Sequence, residues 1–137
     1  MDFFTALNIS SSGLSAERTR VNLASSNLAN AETTRTPEGG PYRRLDPVFQ
    51  AVAANEEGGA GPQGVSVAQI VADPTAGKKI YSPGHPDADA DGFVVLPNVN
   101  PVHEVVNLLS ASRGYEANST AVDTLKQMAS RALEILK

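Results

Sequence analysis

The chain has no cysteine and no tryptophan, only two histidines, and aromatic residues at just 5% of its 137 positions. Without cysteine, disulfides and thiolate metal sites are excluded, and the redox compartment stays open. So few aromatics argue against a large compact core, and the length fits one domain or one small domain with extensions. No apolar run approaches the ~20 residues a membrane span needs. The first residues show no basic stretch followed by an unbroken apolar one, so a cleaved secretory signal is not expected. The chain is expected to stay in the cytoplasm or to leave by a route that uses no such signal.

The formal charge is −4, and it is unevenly placed. Residues 1–36 balance Arg18, Arg20 and Arg35 against Asp2, Glu17 and Glu32, and residues 101–137 are likewise neutral. The middle sets Arg43, Arg44, Lys78 and Lys79 against eight acids and so carries the whole excess. Neutral ends can approach copies of themselves without repulsion. No basic patch is available to neutralise phosphates, which argues against nucleic acid as a partner.

What is present lies mostly at the two ends. Asn100-Pro101 is a helix-start signal, an N-cap followed by proline at the first helical position. Leu108, Tyr115, Val122, Ala129 and Leu136 then recur every seven residues, with Ala111, Asn118, Leu125 and Ala132 on a second line. This is an a/d pattern, predicting a long coiled-coil-like helix over 101–137. From Asp2 to about Asn30, Leu7, Leu14, Val21 and Leu28 fall seven apart, with Phe3, Ala24 and Ala31 beside them. Ser10-Ser11-Ser12-Gly13 weakens that helix, because serine and glycine are poor helix formers. The two ends can pair with each other within one monomer, or both can join other subunits.

Between them lies a stretch rich in glycine and proline. Thr36 to Pro41 reads as a turn, Tyr42 to Val52 as a strand broken at Pro47, and Glu56 to Gly64 as a flexible loop. Val65, Val67 and Ile70-Val71 predict a second strand, Lys78 to Tyr81 a short extended piece, and Phe93 to Leu96 a last strand halted by Pro97. The expected fold is α+β: long N- and C-terminal heptad helices pairing as a coiled-coil-like hairpin or bundle, with a small β module inserted. The expected divisions are 1–36, 37–100 and 101–137, with the flexible loop near 53–64.

Little here suggests catalysis. Asp87-Ala88-Asp89-Ala90-Asp91-Gly92 matches the first half of an EF-hand calcium loop, but its twelfth position is Asn98 rather than a bidentate glutamate. An acidic turn explains it better, and a secreted calcium-binding module is the alternative of a different class. His85 and His103 lack a glycine-flanked nucleophile or further metal ligands. Gly77-Lys78-Lys79 lacks the upstream glycine and the Ser/Thr of a phosphate loop. No catalytic residue, cofactor or metal is therefore assigned. Asn118, a polar residue on an apolar seam, is a candidate for fixing register.

Several short motifs carry a resemblance. Leu14-Ser15-Ala16, Ala24-Ser25-Ser26-Asn27-Leu28-Ala29-Asn30 and Thr33-Thr34 resemble the N-terminal signature of the bacterial flagellar axial family, the rod and hook proteins. Tyr81 to Asp89, Asp91-Gly92-Phe93-Val94, Pro97 to Asn100, Glu104-Val105-Val106 and Ala111 to Asn118 are similar to its C-terminal signature. In so short a chain, His85-Pro86-Asp87 through Asn100 points to one of the family's proximal-rod subunits, another short subunit of that rod being the alternative. The resemblance covers both ends and everything from Val65 onward. Gly114 before Tyr115 departs from it, where a better helix former is expected, and Phe93 stands for a tyrosine.

That resemblance implies a structural subunit of the proximal rod, not an enzyme. It would be exported through the flagellar type III apparatus into the periplasm, without insertion in the membrane. There it would assemble through its terminal helices with itself, with neighbouring proximal and distal rod proteins and with the rod–membrane-ring adaptor, into the shaft that carries torque. The expected contact residues are Leu7, Leu14, Val21, Leu28, Leu108, Tyr115, Val122 and Leu125, with Asn27, Asn30 and Asn118 as polar contacts. Losing a buried leucine typically costs ~2–5 kcal/mol, so Leu125→Ala is expected to weaken assembly more than any change within 56–64.

Overall fold

The computed structural model describes residues 3–53 and 63–135. Two long helices, α1 (Phe3–Ala29) and α2 (Pro101–Ile135), flank four strands. These are β1 (Leu45–Ala53), β2 (Gln63–Ala72), β3 (Lys79–Tyr81) and β4 (Phe93–Val95). At ~1.5 Å per residue the helices are roughly 40 and 50 Å long.

Asn100 caps α2 as its position suggested, its Oδ1 accepting from the amides of Val102 (3.0 Å) and His103 (3.4 Å). α1 runs straight through Ser10-Ser11-Ser12-Gly13, where propensity alone predicted weakness. Tertiary contacts explain this. Ser12 Oγ donates to the Ile9 carbonyl and accepts from the Val65 amide of β2. Gly13 lies so close to α2 that an added Cβ would sit 2.9 Å from Asn118 Nδ2.

The helices pack antiparallel. Gly13 meets Asn118, Glu17 meets Gly114 and Asn27 meets Glu104, each pair of numbers adding to 131. Extended along the pair, that register sets Phe3 beside Met128, so the last turns of α2 run on past α1. The heptad segments therefore have an internal partner.

β1 and β2 form an antiparallel hairpin lying against α1, with a register shift between Val48 and Phe49. Pro47 does not break β1 as expected; it pairs with Ile70 inside the strand. A two-stranded sheet has only edge strands, where proline is tolerated. Most of the expected loop over Glu56–Gly64 lies outside the described residues, and its last two residues, Gln63 and Gly64, open β2. β3 and β4 make a second, separate antiparallel pair, Ile80 opposite Val94. Between them Asp89 Oδ1 accepts from the amides of Asp91 (3.0 Å) and Phe93 (2.8 Å), and Gly92 takes a φ of +81°.

Candidate assembly interface

On α2 the line Glu104, Leu108, Ala111, Asn118, Val122, Leu125 and Ala129 is buried or half-buried, with Asn107, Ser112, Gly114, Ser119 and Ala121 half-buried beside it. This is the alternating three-and-four spacing that the sequence showed, and it faces α1. Tyr115, on the same line, is 42% exposed at the margin of the seam beside Arg18 and Val21.

α1 is rotated from the expected face. Its deepest residues are Thr5, Ala16, Ala24 and Asn27, while Leu7, Leu14, Val21 and Leu28 flank them half-buried. Small side chains occupy the centre because the backbones approach closely. An added Cβ at Gly114 would come within 2.8 Å of Glu17 Cδ. Gly114, a departure on grounds of helix propensity, is thus a close-approach position. Asn118 is part-buried, donates to the Gly114 carbonyl at 3.0 Å and fills the space over Gly13.

Asn27, expected as a contact between subunits, spends its hydrogen-bonding capacity inside this one. Its Oδ1 accepts from the Leu45 amide and the Tyr42 hydroxyl, both at 2.9 Å. Its Nδ2 donates to the Leu45 carbonyl (2.9 Å) and Glu104 Oε2 (3.1 Å). Asn30 likewise turns inward on the helix end, donating to the Ser26 carbonyl and accepting from Thr33 Oγ1.

Around Glu104, which is 1% exposed, a polar cluster joins three parts of the chain. Arg44 Nε donates to Glu104 Oε1 at 2.6 Å, and Arg44 Nη1 pairs with Asp46 and lies 4.0 Å from Asp73. Burial works against the Arg44 charge, but the hydrogen bond to Glu104 and the carboxylates of Asp46, Glu104 and Asp73 outweigh it and raise its pKa. Asn98 Oδ1 accepts from the Arg44 amide, and its Nδ2 donates to the carbonyls of Asp73 and Thr75. Reasoning from spacing missed Arg44, and took Asn98 and Glu104 only as parts of motifs. The sole signal was a basic pair, Arg43-Arg44, opening a strand near Asp46.

The motif carboxylates serve the fold. Asp87 accepts from Thr34 Oγ1 at 2.8 Å and lies 3.6 Å from Arg35, while Asp89 closes the turn before β4. His85 Nδ1 accepts from the Asp87 amide, and His103 sits exposed on the first turn of α2. Among the described residues no three of His, Cys, Asp or Glu gather to hold a metal. No helix among them is long and apolar enough to cross a membrane.

A second set of apolar side chains faces away from the seam. Val102, Val106 and Leu109 are exposed on the first turns of α2, and Phe4 on α1. Met128 is 61% exposed level with the start of α1, and Leu133 and Ile135 are 65 and 84% exposed where α2 outruns its partner.

Two family models match the chain, and both reach its helical ends. "Flagella basal body rod protein" matches residues 7–35 and "Flagellar basal body rod FlgEFG protein C-terminal" residues 90–135. The flagellar basal-body rod protein FlgC of Borreliella burgdorferi is 45% identical over 152 residues, covering 100% of this chain and 99% of that protein. Its namesake in Escherichia coli is 43% identical, covering 98% of each chain, and that in Bacillus subtilis 41%, covering 100% of each. The chain belongs to the flagellar basal-body rod protein family.

Proposed function

We propose that the chain is a structural subunit of the proximal rod of the bacterial flagellum, a building block of the shaft that carries torque. The observation that carries this is end-to-end similarity, at 41–45% identity, to relatives named as basal-body rod proteins. The physical form supports it. Apolar side chains left exposed along a helix and past its partner suit contacts between subunits, and a head-to-tail contact that does not close builds a helical filament.

In this reading Val102, Val106, Leu109, Leu133 and Ile135 meet neighbouring subunits. The half-buried Leu7, Leu14, Val21 and Leu28 serve the internal seam and its margins. The partners are further copies, neighbouring proximal and distal rod proteins and the rod–membrane-ring adaptor, with the type III export apparatus as a partner in transit. The site is the basal body, in the periplasm. Segment 1–36 carries assembly and export, 101–137 assembly, and 37–100 forms the outer part.

Deleting the gene in its host and imaging basal bodies by electron microscopy tests the proposal. The expected result is a missing rod beyond the membrane ring, with motility lost and restored by the intact chain. Normal basal bodies and normal swimming would overturn it.

A further inference from the structure

The β1–β2 hairpin has one guarded edge and one open edge. On the guarded side the Val65 amide donates to Ser12 Oγ of α1 at 3.1 Å, so it points away from β1. In an antiparallel ladder, residues directly opposite turn their main-chain groups the same way, inward or outward, and this alternates along the strand. Ala51 pairs with Val65 and Phe49 with Val67, so Ala51 and Phe49 turn their N–H and C=O groups off the free side of β1. Among the described residues no hydrogen bond from outside the hairpin reaches them.

The usual defences of an edge strand are charge, proline and a bulge. Here Asp46, Pro47 and the register shift at Val48/Phe49 all sit at the base. Beyond them β1 has no charge from Val48 to Ala53, and β2 has none from Gln63 to Ala72, in the one part of the chain that carries net charge. Val48, Phe49 and Val52 are more than a third exposed and Ile70 is 51% exposed. The hairpin rests on α1, and no third strand pairs with it among the described residues.

We propose that the β1 edge over Phe49–Ala53 is a strand-docking site for an extended, uncharged segment of a neighbouring subunit. Main-chain hydrogen bonds at Phe49 and Ala51 hold the segment, and Val48, Phe49 and Val52 select apolar or small side chains on it. A charged residue at the paired positions is disfavoured, because the neutral hairpin offers it nothing in return for lost water. The rod assignment supplies the identity of the neighbour; the edge itself does not depend on it.

Hydrogen exchange resolved to single amides, on the free subunit and on purified basal bodies, tests this. In the free subunit the Phe49 and Ala51 amides exchange fast; in the basal body they slow by at least about tenfold. Ala51→Pro removes only an outward donor, so the circular dichroism of the free subunit is retained while incorporation into basal bodies falls about tenfold or more. Ala51→Ser keeps the donor and incorporates normally. Equally fast Phe49 and Ala51 amides in basal bodies that contain the chain, or full incorporation of Ala51→Pro, would overturn the docking site alone. Basal bodies that form without the chain would overturn the rod reading instead.

Discussion

Arg44, Glu104 and Asn27 show how a few polar atoms hold three segments in one arrangement. A buried carboxylate is costly unless paired, and Glu104 is held by Arg44 Nε and Asn27 Nδ2. Removing Arg44 leaves the buried Glu104 carboxylate without its cation, so Arg44→Ala should lower stability by ~3–5 kcal/mol in urea unfolding, and Glu104→Ala by less, because Arg44 is part-exposed and keeps Asp46 and Asp73. The pair Arg44→Met with Glu104→Leu should recover most of that loss; single-variant losses under ~1 kcal/mol would show that the cluster is not a structural tie. Gly77 is a second sensitive position. An added Cβ would stand 1.9 Å from the Leu96 carbonyl oxygen, which is backbone and cannot swing aside. Gly77→Ala should lower stability by ~2–3 kcal/mol, read as a drop in thermal midpoint. Neither tie was legible in the sequence. Arg44 and Glu104 are 60 residues apart, and no local period connects a strand's first residues to a helix's first turn.

At the scale of elements, periodicity located the helices and strands to within a few residues, and on α2 the seam positions Leu108, Ala111, Asn118, Val122, Leu125 and Ala129, but not Tyr115 or Ala132, which are exposed. It misjudged α1. The eye follows leucines, yet the centre of the seam is held by Gly13, Ala16 and Ala24, which permit close approach. Propensity also misjudged Ser10–Gly13 and Pro47, because an α2 side chain over Gly13, a serine bond to β2 and a solvent-facing strand edge override local preference. The overhang of α2 gives a test specific to this element. Leu133 is 65% exposed and lies beyond the reach of α1. Leu133→Glu should change the stability of the free subunit by less than ~0.5 kcal/mol yet sharply reduce motility. Normal swimming of that variant would remove the overhang from the assembly surface.

Across the whole molecule the ties are graded. The end where α1 finishes and α2 begins holds the Asn27–Glu104–Arg44 cluster, the Asn98 bonds and Val94, which is 1% exposed. Toward the far end there are the helix seam and the Ser12–Val65 bond to the hairpin, then the overhang. Native-state hydrogen exchange on the free subunit should therefore be slowest over Ala24–Asn27 and Glu104–Ala111 and quicken steadily toward 129–135. Uniform protection along α2 would contradict that gradient.

By itself the sequence determined two long amphipathic ends, the order and rough limits of the strands, the cap at Asn100 and the kinship with rod proteins. Each of these is local, written in spacing or in a contiguous motif. Only the tertiary structure decided which face of α1 meets α2, that Asn27 is spent within the subunit, that Glu104 has Arg44 for a partner, and which hairpin edge is left open. The reason is physical. A period specifies a face but not what covers it, and a buried polar group is satisfied by whatever the fold brings beside it, here across as many as 77 residues of chain.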